Sequence, residues 1–388
     1  MDEENNLKDN LKDNLKDNLK ENILDKTNNT LNKIYKKKSY KYLVLLFLLI
    51  ICIILFIISI YYGGNAESVS VGDITQAILH HTTGEVYKDV IIKEIRFPKV
   101  FGAILVGMAL AGSGLMLQVL FRNLLASPYT TGISSGVLLM VSLVLFVNSF
   151  SEFFKAFMGY ETLIAGWIGG LLSTLILIAI AHKSSESNSI IIISLLASYM
   201  FSGLTSYLIS NAPVDSVKQY YGFSMGEVSK LTLDSLYPMT FAMIVFIILG
   251  IYLVKPLNAL LFGENYAKSF GANIKQIRIK ILLTTSFVVG LIIPLVGLMA
   301  FVGISGPYLA RPIIKTSDNR YLLPASMLVG AILMLVCYLI SLKYYLPIAL
   351  LTNTNSLTIL PIGAVLDIVG GIVVLYLIIK GEKKLIIQ

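Results

Sequence analysis

The chain has 388 residues, 56% of them hydrophobic and only 14% charged, with a mean hydropathy of +0.77. This excludes an ordinary soluble domain and points to an all-α polytopic membrane protein. The net charge of +8 comes from 31 Lys+Arg against 23 Asp+Glu; in a membrane protein such an excess reports topology, so no nucleic-acid partner is read from it.

Residues 1–41 form a polar tail. Leu-Lys-Asp-Asn occurs three times from Leu7 to Asn18, and Leu-Lys-Glu-Asn follows. A leucine at every fourth position could stripe a helix, but the repeated Asn opposes it, and a disordered tail is expected. Lys33, Lys36, Lys37, Lys38 and Lys41 then form a basic cluster that places the tail on the cytoplasmic side. Tyr42–Tyr62 is a charge-free run of 21 residues, enough to cross a hydrocarbon core of ~30 Å and too long for a cleavable signal peptide. Further spans read as 98–119, 131–149, 162–181, 189–211, 235–254, 280–301, 322–342 and 361–379. Val302–Pro312 is apolar but short. The segments Lys255–Lys280 and Arg311–Arg320 are both basic and should share a side, so 302–312 must supply a crossing. The expectation is ten spans over 42–380, with both termini cytoplasmic and a short tail at 381–388. From Lys33 onward, 18 Lys/Arg then fall on inner segments and 8 on outer ones, as the positive-inside rule requires.

Ala103, Gly107 and Ala111 share one helix face, and Gly166 and Gly170 share another; small residues at this spacing let helices approach closely in lipid. Cys52 and Cys337 lie in apolar runs and define no disulfide framework. His80 and His81 are adjacent on an outer segment, and His182 stands alone; no partner at ligand spacing makes them a metal site. No Gly-Lys dipeptide occurs, so there is no phosphate-binding Walker loop. If ATP drives the protein, a separate chain hydrolyses it. No nucleophile–base pair appears either, so no enzymatic activity is expected. Asp367 is the one clear ionisable residue within the spans. It lies six residues past Pro361, about 9 Å along a helix, and should face the bundle or a wet cavity. A secondary transporter is the alternative reading, but it needs more intramembrane coupling groups than Asp367 alone.

The polar stretch Lys255–Lys280 is longer than a connection requires. It is either an ordinary solvated loop or a docking surface. Pro256-Leu257 opens it, Leu260-Leu261-Phe262 is an apolar patch, and Gly263, Ala267 and Gly271 are small.

Several motifs in order resemble the FecCD family, the permease subunits of type II ABC importers for iron chelates, haem and cobalamin. These are Arg96-Phe97-Pro98-Lys99 with Gly107, Ala111, Gly114 and Gln118; Arg122-Asn123-Leu124-Leu125-Ala126-Ser127-Pro128 with Gly132; and Phe223-Ser224-Met225-Gly226. Leu261-Phe262-Gly263-Glu264 follows, with Ala267 and Gly271. The last are Phe301-Val302-Gly303-Ile304 with Gly306-Pro307-Tyr308 and Arg311, Asn319-Arg320 with Pro324, and Leu360-Pro361-Ile362-Gly363.

The resemblance implies a homodimeric, ten-span permease of the type II ABC importer fold in the cytoplasmic membrane. It implies coupling helices at 255–280, with Gly263, Glu264, Ala267 and Gly271 seated against two copies of a cytoplasmic ABC ATPase. That ATPase carries the ATP and Mg, and this chain binds no cofactor or metal. Arg96, Lys99 and Lys343 would meet an extracytoplasmic substrate-binding protein. Gln118, Asn123, Pro128, Gly132, Pro307, Arg311, Pro361, Gly363 and Asp367 would belong to the pathway or its structural motifs. The pathway would follow the fifth and tenth spans, 189–211 and 361–379. The sequence departs from the family at Leu124 (usually Pro), Phe223 (usually Trp), Tyr308 (usually His) and Cys337 (usually Asp), and in a longer segment at 342–360. These changes bear on the docking surface and the cargo rather than on the architecture.

Overall fold

The structure is a computed structural model that describes residues 38–63, 71–80, 85–181, 187–269, 271–343 and 360–381. It divides into Met1–Phe47 and Leu48–Gln388, with the boundary inside the first helix. The Leu-Lys-Asp-Asn repeats, His81, His182 and the 344–359 segment lie outside the described residues.

The described residues form helices joined by turns and loops, with no strand among them. In chain order they form α1 (Lys38–Tyr62), α2 (Val71–His80) and α3 (Val86–Val90), then a π-helical turn (Ile91–Arg96) that runs into α4 (Phe97–Phe121). Next come α5 (Ile133–Phe146), α6 (Asn148–Phe154), α7 (Glu161–Ala181), α8 (Ser187–Ser210), α9 (Val214–Ser224), α10 (Leu233–Leu261) and α11 (Glu264–Ser269). The remaining helices are α12 (Ile274–Val296), α13 (Val302–Ile314), α14 (Asn319–Lys343) and α15 (Ile362–Gly381). Seven helices are long and apolar enough to span a membrane, and α5 with the segment bent 100° from it makes a candidate eighth. The short helix expected at 302–312 is present as α13, whose 13 residues reach only about 20 Å. α15 adds a further shorter apolar stretch, Ile362–Tyr376.

Leu48–Gln388 is built around α4, which packs against α10, α12, α13 and α14. Of its 25 residues, 20 are buried, so its sequence is apolar on every side rather than on one stripe. Close approach depends on missing side chains. A methyl on Gly107 would collide with the Gly330 backbone of α14, and one on Gly114 with the Gly303 backbone of α13. The small-residue face of α4 therefore seats two helices, α14 near its middle and α13 toward its C-terminal end. The other small pair has a comparable role, with Gly166 of α7 set against Pro294 of α12 and Gly170 near Gly290.

Two helices extend further than the charge pattern suggested. α10 continues through Lys255 and Pro256 to Leu261, and α12 starts at Ile274 rather than 280. Asn273 makes the early start possible, because its side chain accepts the Gln276 backbone N–H at 3.2 Å, the ordinary N-cap bond. The stretch 255–280 therefore holds one short helix, α11, between the ends of two long ones.

Candidate functional site

Candidate residues collect at two opposite ends of the helices. The basic end carries α11. Gly263 (φ +102°) and Gly271 (φ +77°) flank it in the left-handed region, which costs glycine nothing. Glu264 and Ala267 do not face outward. The Glu264 carboxylate pairs with Arg278 of α12 at 2.9 Å, and Ala267 is buried. They fasten α11 to its own chain. The outward groups are Phe262, 71% exposed, and Tyr266, 51% exposed, with ring centroids 5.4 Å apart. The expected apolar patch is thus split, with Leu260 buried and Phe262 presented.

Beside α11 lies a cavity of about 560 Å³, lined by Gln118 and Arg122 at the end of α4, Leu261, and Tyr308, Arg311 and Lys315 around the end of α13. Arg122 ends α4 in the left-handed region (φ 50°), and Asn123 returns its N–H to the Gln118 carbonyl at 3.2 Å. The Asn123 side chain accepts from Leu125 N–H at 2.9 Å, forming a tight turn that carries the chain to Pro128. Pro128 packs against Gly303 of α13. The Gly132 carbonyl accepts from Ser173 Oγ of α7 at 2.8 Å. Pro307 is buried in α13, whose face meets α4 at Gly306 and Ala111.

At the opposite end the expectation for Arg96 is corrected. Its residue is 1% exposed, and Nη1 donates to the carbonyl oxygens of Ile60 and Tyr61, each at 3.1 Å. The last turn of α1 has carbonyls without helical partners, and Arg96 satisfies two of them. It staples α1 to the start of α4 instead of presenting a charge outward. Lys99 is half-buried and shares a small pocket with Glu227, Tyr338 and Leu360. The side chain of Lys343 lies outside the described residues.

Two motifs far apart in sequence meet here. Gly363 donates its N–H to the Gly226 carbonyl at 2.9 Å, and Glu227 donates to the Val296 carbonyl at 2.7 Å. Phe223–Glu227, Gly297 and Pro361–Gly363 are therefore one backbone junction. Gly297 and Glu227 were not singled out from the sequence, since a lone Gly after Pro294 carries no local signal of its partner.

Asp367 does not face the bundle of its own chain. It is exposed in the protomer beside Ile368, and Ile368, Ile372, Leu375 and Ile379 continue the open face of α15. α8 has a similar open face at Ile192, Leu196, Tyr199, Met200 and Tyr207.

The sequence profile of the FecCD transport family matches residues 50–380. The chain belongs to the FecCD transport family. An ABC transporter permease protein of Methanocaldococcus jannaschii, by its name, is 54% identical over 343 residues, covering 88% of this chain and 98% of that one. The hemin transport system permease protein of Yersinia pestis is 28% identical over 291 residues, 75% of this chain and 83% of that protein. A solved chain described as an inward-facing conformation of a metal-chelate type ABC transporter shares the fold, with a TM-score of 0.71 at 23% identity over 87% of this chain and 99% of that one. The FecCD chain is thus an ABC importer permease subunit with the type II fold, a transport component rather than an enzyme.

Proposed function

We propose that this permease moves a metal chelate across the cell membrane, received from an extracytoplasmic binding protein and driven by ATP hydrolysis on a separate cytoplasmic ATPase that holds the ATP and Mg. An iron–siderophore complex is the leading cargo, with haem and cobalamin the other members of the class. The hemin relative and the metal-chelate structural neighbour support that class. The chain works in ten crossings as a homodimer, with both termini and α11 on the cytoplasmic side.

The observation that carries this reading is Asp367. A carboxylate exposed on an apolar span would be costly against lipid, so the open face of α15 belongs against a second copy or a wet pathway. α8 and α15 are the helices that line the dimer axis in this family. The test is co-reconstitution with the cognate ATPase and binding protein. ATP-dependent uptake of a labelled iron–siderophore, haem or cobalamin supports the reading; uptake that persists without any ATPase overturns it.

A further inference from the structure

The cavity at the basic end has the chemistry of an anion site. Arg122, Arg311 and Lys315 line it, with Tyr308, Thr316 and Ser317 adding hydroxyls. No carboxylate lines it among the described residues. Two acids close in sequence to its lining residues are engaged elsewhere. Asp318 accepts from Asn258 and from the Arg320 backbone, and Glu264 pairs with Arg278.

The second observation concerns Gln118. It is 2% exposed, and both its amide oxygen and its amide nitrogen are buried with no hydrogen-bond partner among the described residues. Arg311 Nη1 is buried in the same condition. Buried polar atoms are almost always satisfied, because leaving one unmet costs the full desolvation of the group. Here two such side chains, on α4 and α13, line one polar cavity. A group that accepts several hydrogen bonds and carries negative charge would meet Arg311 and the Gln118 amide N–H together. A volume of about 560 Å³ is within the range of small-molecule sites and far larger than one water requires.

We propose that this cavity binds a phosphate-bearing anion through Arg122, Arg311, Lys315 and Gln118. Arg and Lys clusters recognise phosphate through charge-assisted bonds, and Arg does so with a two-pronged fit. The phosphate can belong to a free cytosolic phosphate compound or to the headgroup of an anionic lipid, since basic pockets between helices at a membrane surface take headgroups as well.

The full chain in nanodiscs, without an ATPase, distinguishes the sources and keeps the test apart from the transport reading. In phosphatidylcholine discs, inorganic pyrophosphate is titrated by calorimetry. In a second arm, native mass spectrometry of the chain released from mixed phosphatidylcholine–phosphatidylglycerol discs counts retained lipid. Arg122 is exposed, so Arg122→Gln should fold normally and weaken binding about tenfold, the loss of one charge-assisted bond. Gln118→Met keeps the volume, removes the amide and should also weaken it. Pyrophosphate binding sensitive to both variants supports a soluble ligand; retention of phosphatidylglycerol sensitive to both supports the headgroup. Absence of both, or binding that neither variant changes, overturns the proposal.

Discussion

Asn258 holds Asp318 and the next residue together. Its Nδ2 donates to Asp318 Oδ1 at 2.7 Å, and its Oδ1 accepts the Asn319 backbone N–H at 2.8 Å and Asn319 Nδ2 at 2.9 Å. One side chain near the end of α10 thus caps the start of α14. Asn258→Ala strands the Asn319 N–H, which has no helical partner at that position. The expected cost is about 1–3 kcal/mol, seen as a lower unfolding midpoint in detergent. Asn258→Asp should do more harm, by setting a second carboxylate against Asp318.

Arg96 makes a prediction that differs from a docking role. Arg96→Ala leaves the Ile60 and Tyr61 carbonyls without their donor and opens a void, for about 2–4 kcal/mol. Accumulation in the membrane and thermal stability should fall before any effect on a binding protein can be measured. A variant as stable as the parent would show that the staple contributes nothing.

The exposed Phe262–Tyr266 pair is the surface by which α11 would engage the ATPase. Phe262→Asp should leave the unfolding midpoint within about 0.5 kcal/mol of the parent, as for an exposed position. ATPase recovered with the purified permease should drop at least tenfold. Gly271→Trp tests the same surface from its other side. Among the described residues, nothing lies within 4 Å of where a Gly271 side chain would begin, so the left-handed backbone strain of about 1–2 kcal/mol is the main folding cost. ATP hydrolysis should continue there without substrate transport, and normal coupled transport would sink the docking role of α11.

Asp367→Asn keeps shape and removes charge. Since the carboxylate is exposed in the protomer, with no hydrogen bond among the described residues, protomer stability should not change. Transport of the labelled chelate should fall severalfold, while the stability of the dimer and basal ATP hydrolysis hold. Stability falling in step with transport would make the carboxylate a structural contact between copies.

Much of the helix plan is visible in the chain because charge-free runs and basic connections obey simple rules, and even α13 follows from the need for Lys255–Lys280 and Arg311–Arg320 to share a side. What escapes is the effect of residues distant in sequence. Lys275, Arg278 and Lys280 look like loop, yet α12 continues through them because Asn273 caps it and Glu264 neutralises Arg278. Arg96 looks like a surface charge, because nothing in the motif shows that the end of α1 lies against it. Ala267 reads as a gap left for a partner, whereas its smallness serves burial within its own chain. The cavity could not be foreseen at all, since Gln118, Arg122 and Arg311 come together only through the packing of α13 on α4.

The junction of Gly226, Gly297 and Gly363 sets where movement is cheap. Three segments that end α9, end α12 and begin α15 are tied there by backbone hydrogen bonds, so sliding one past another at that end breaks bonds between main chains. At the far end of α15 no such tie is found among the described residues. If α15 tilts, the tie at Gly363 makes that end the fulcrum, and the travel of the tip would exceed that of Asp367 in proportion to distance along the helix. A small tilt at the fulcrum would open or close the tip while the junction itself stays sealed.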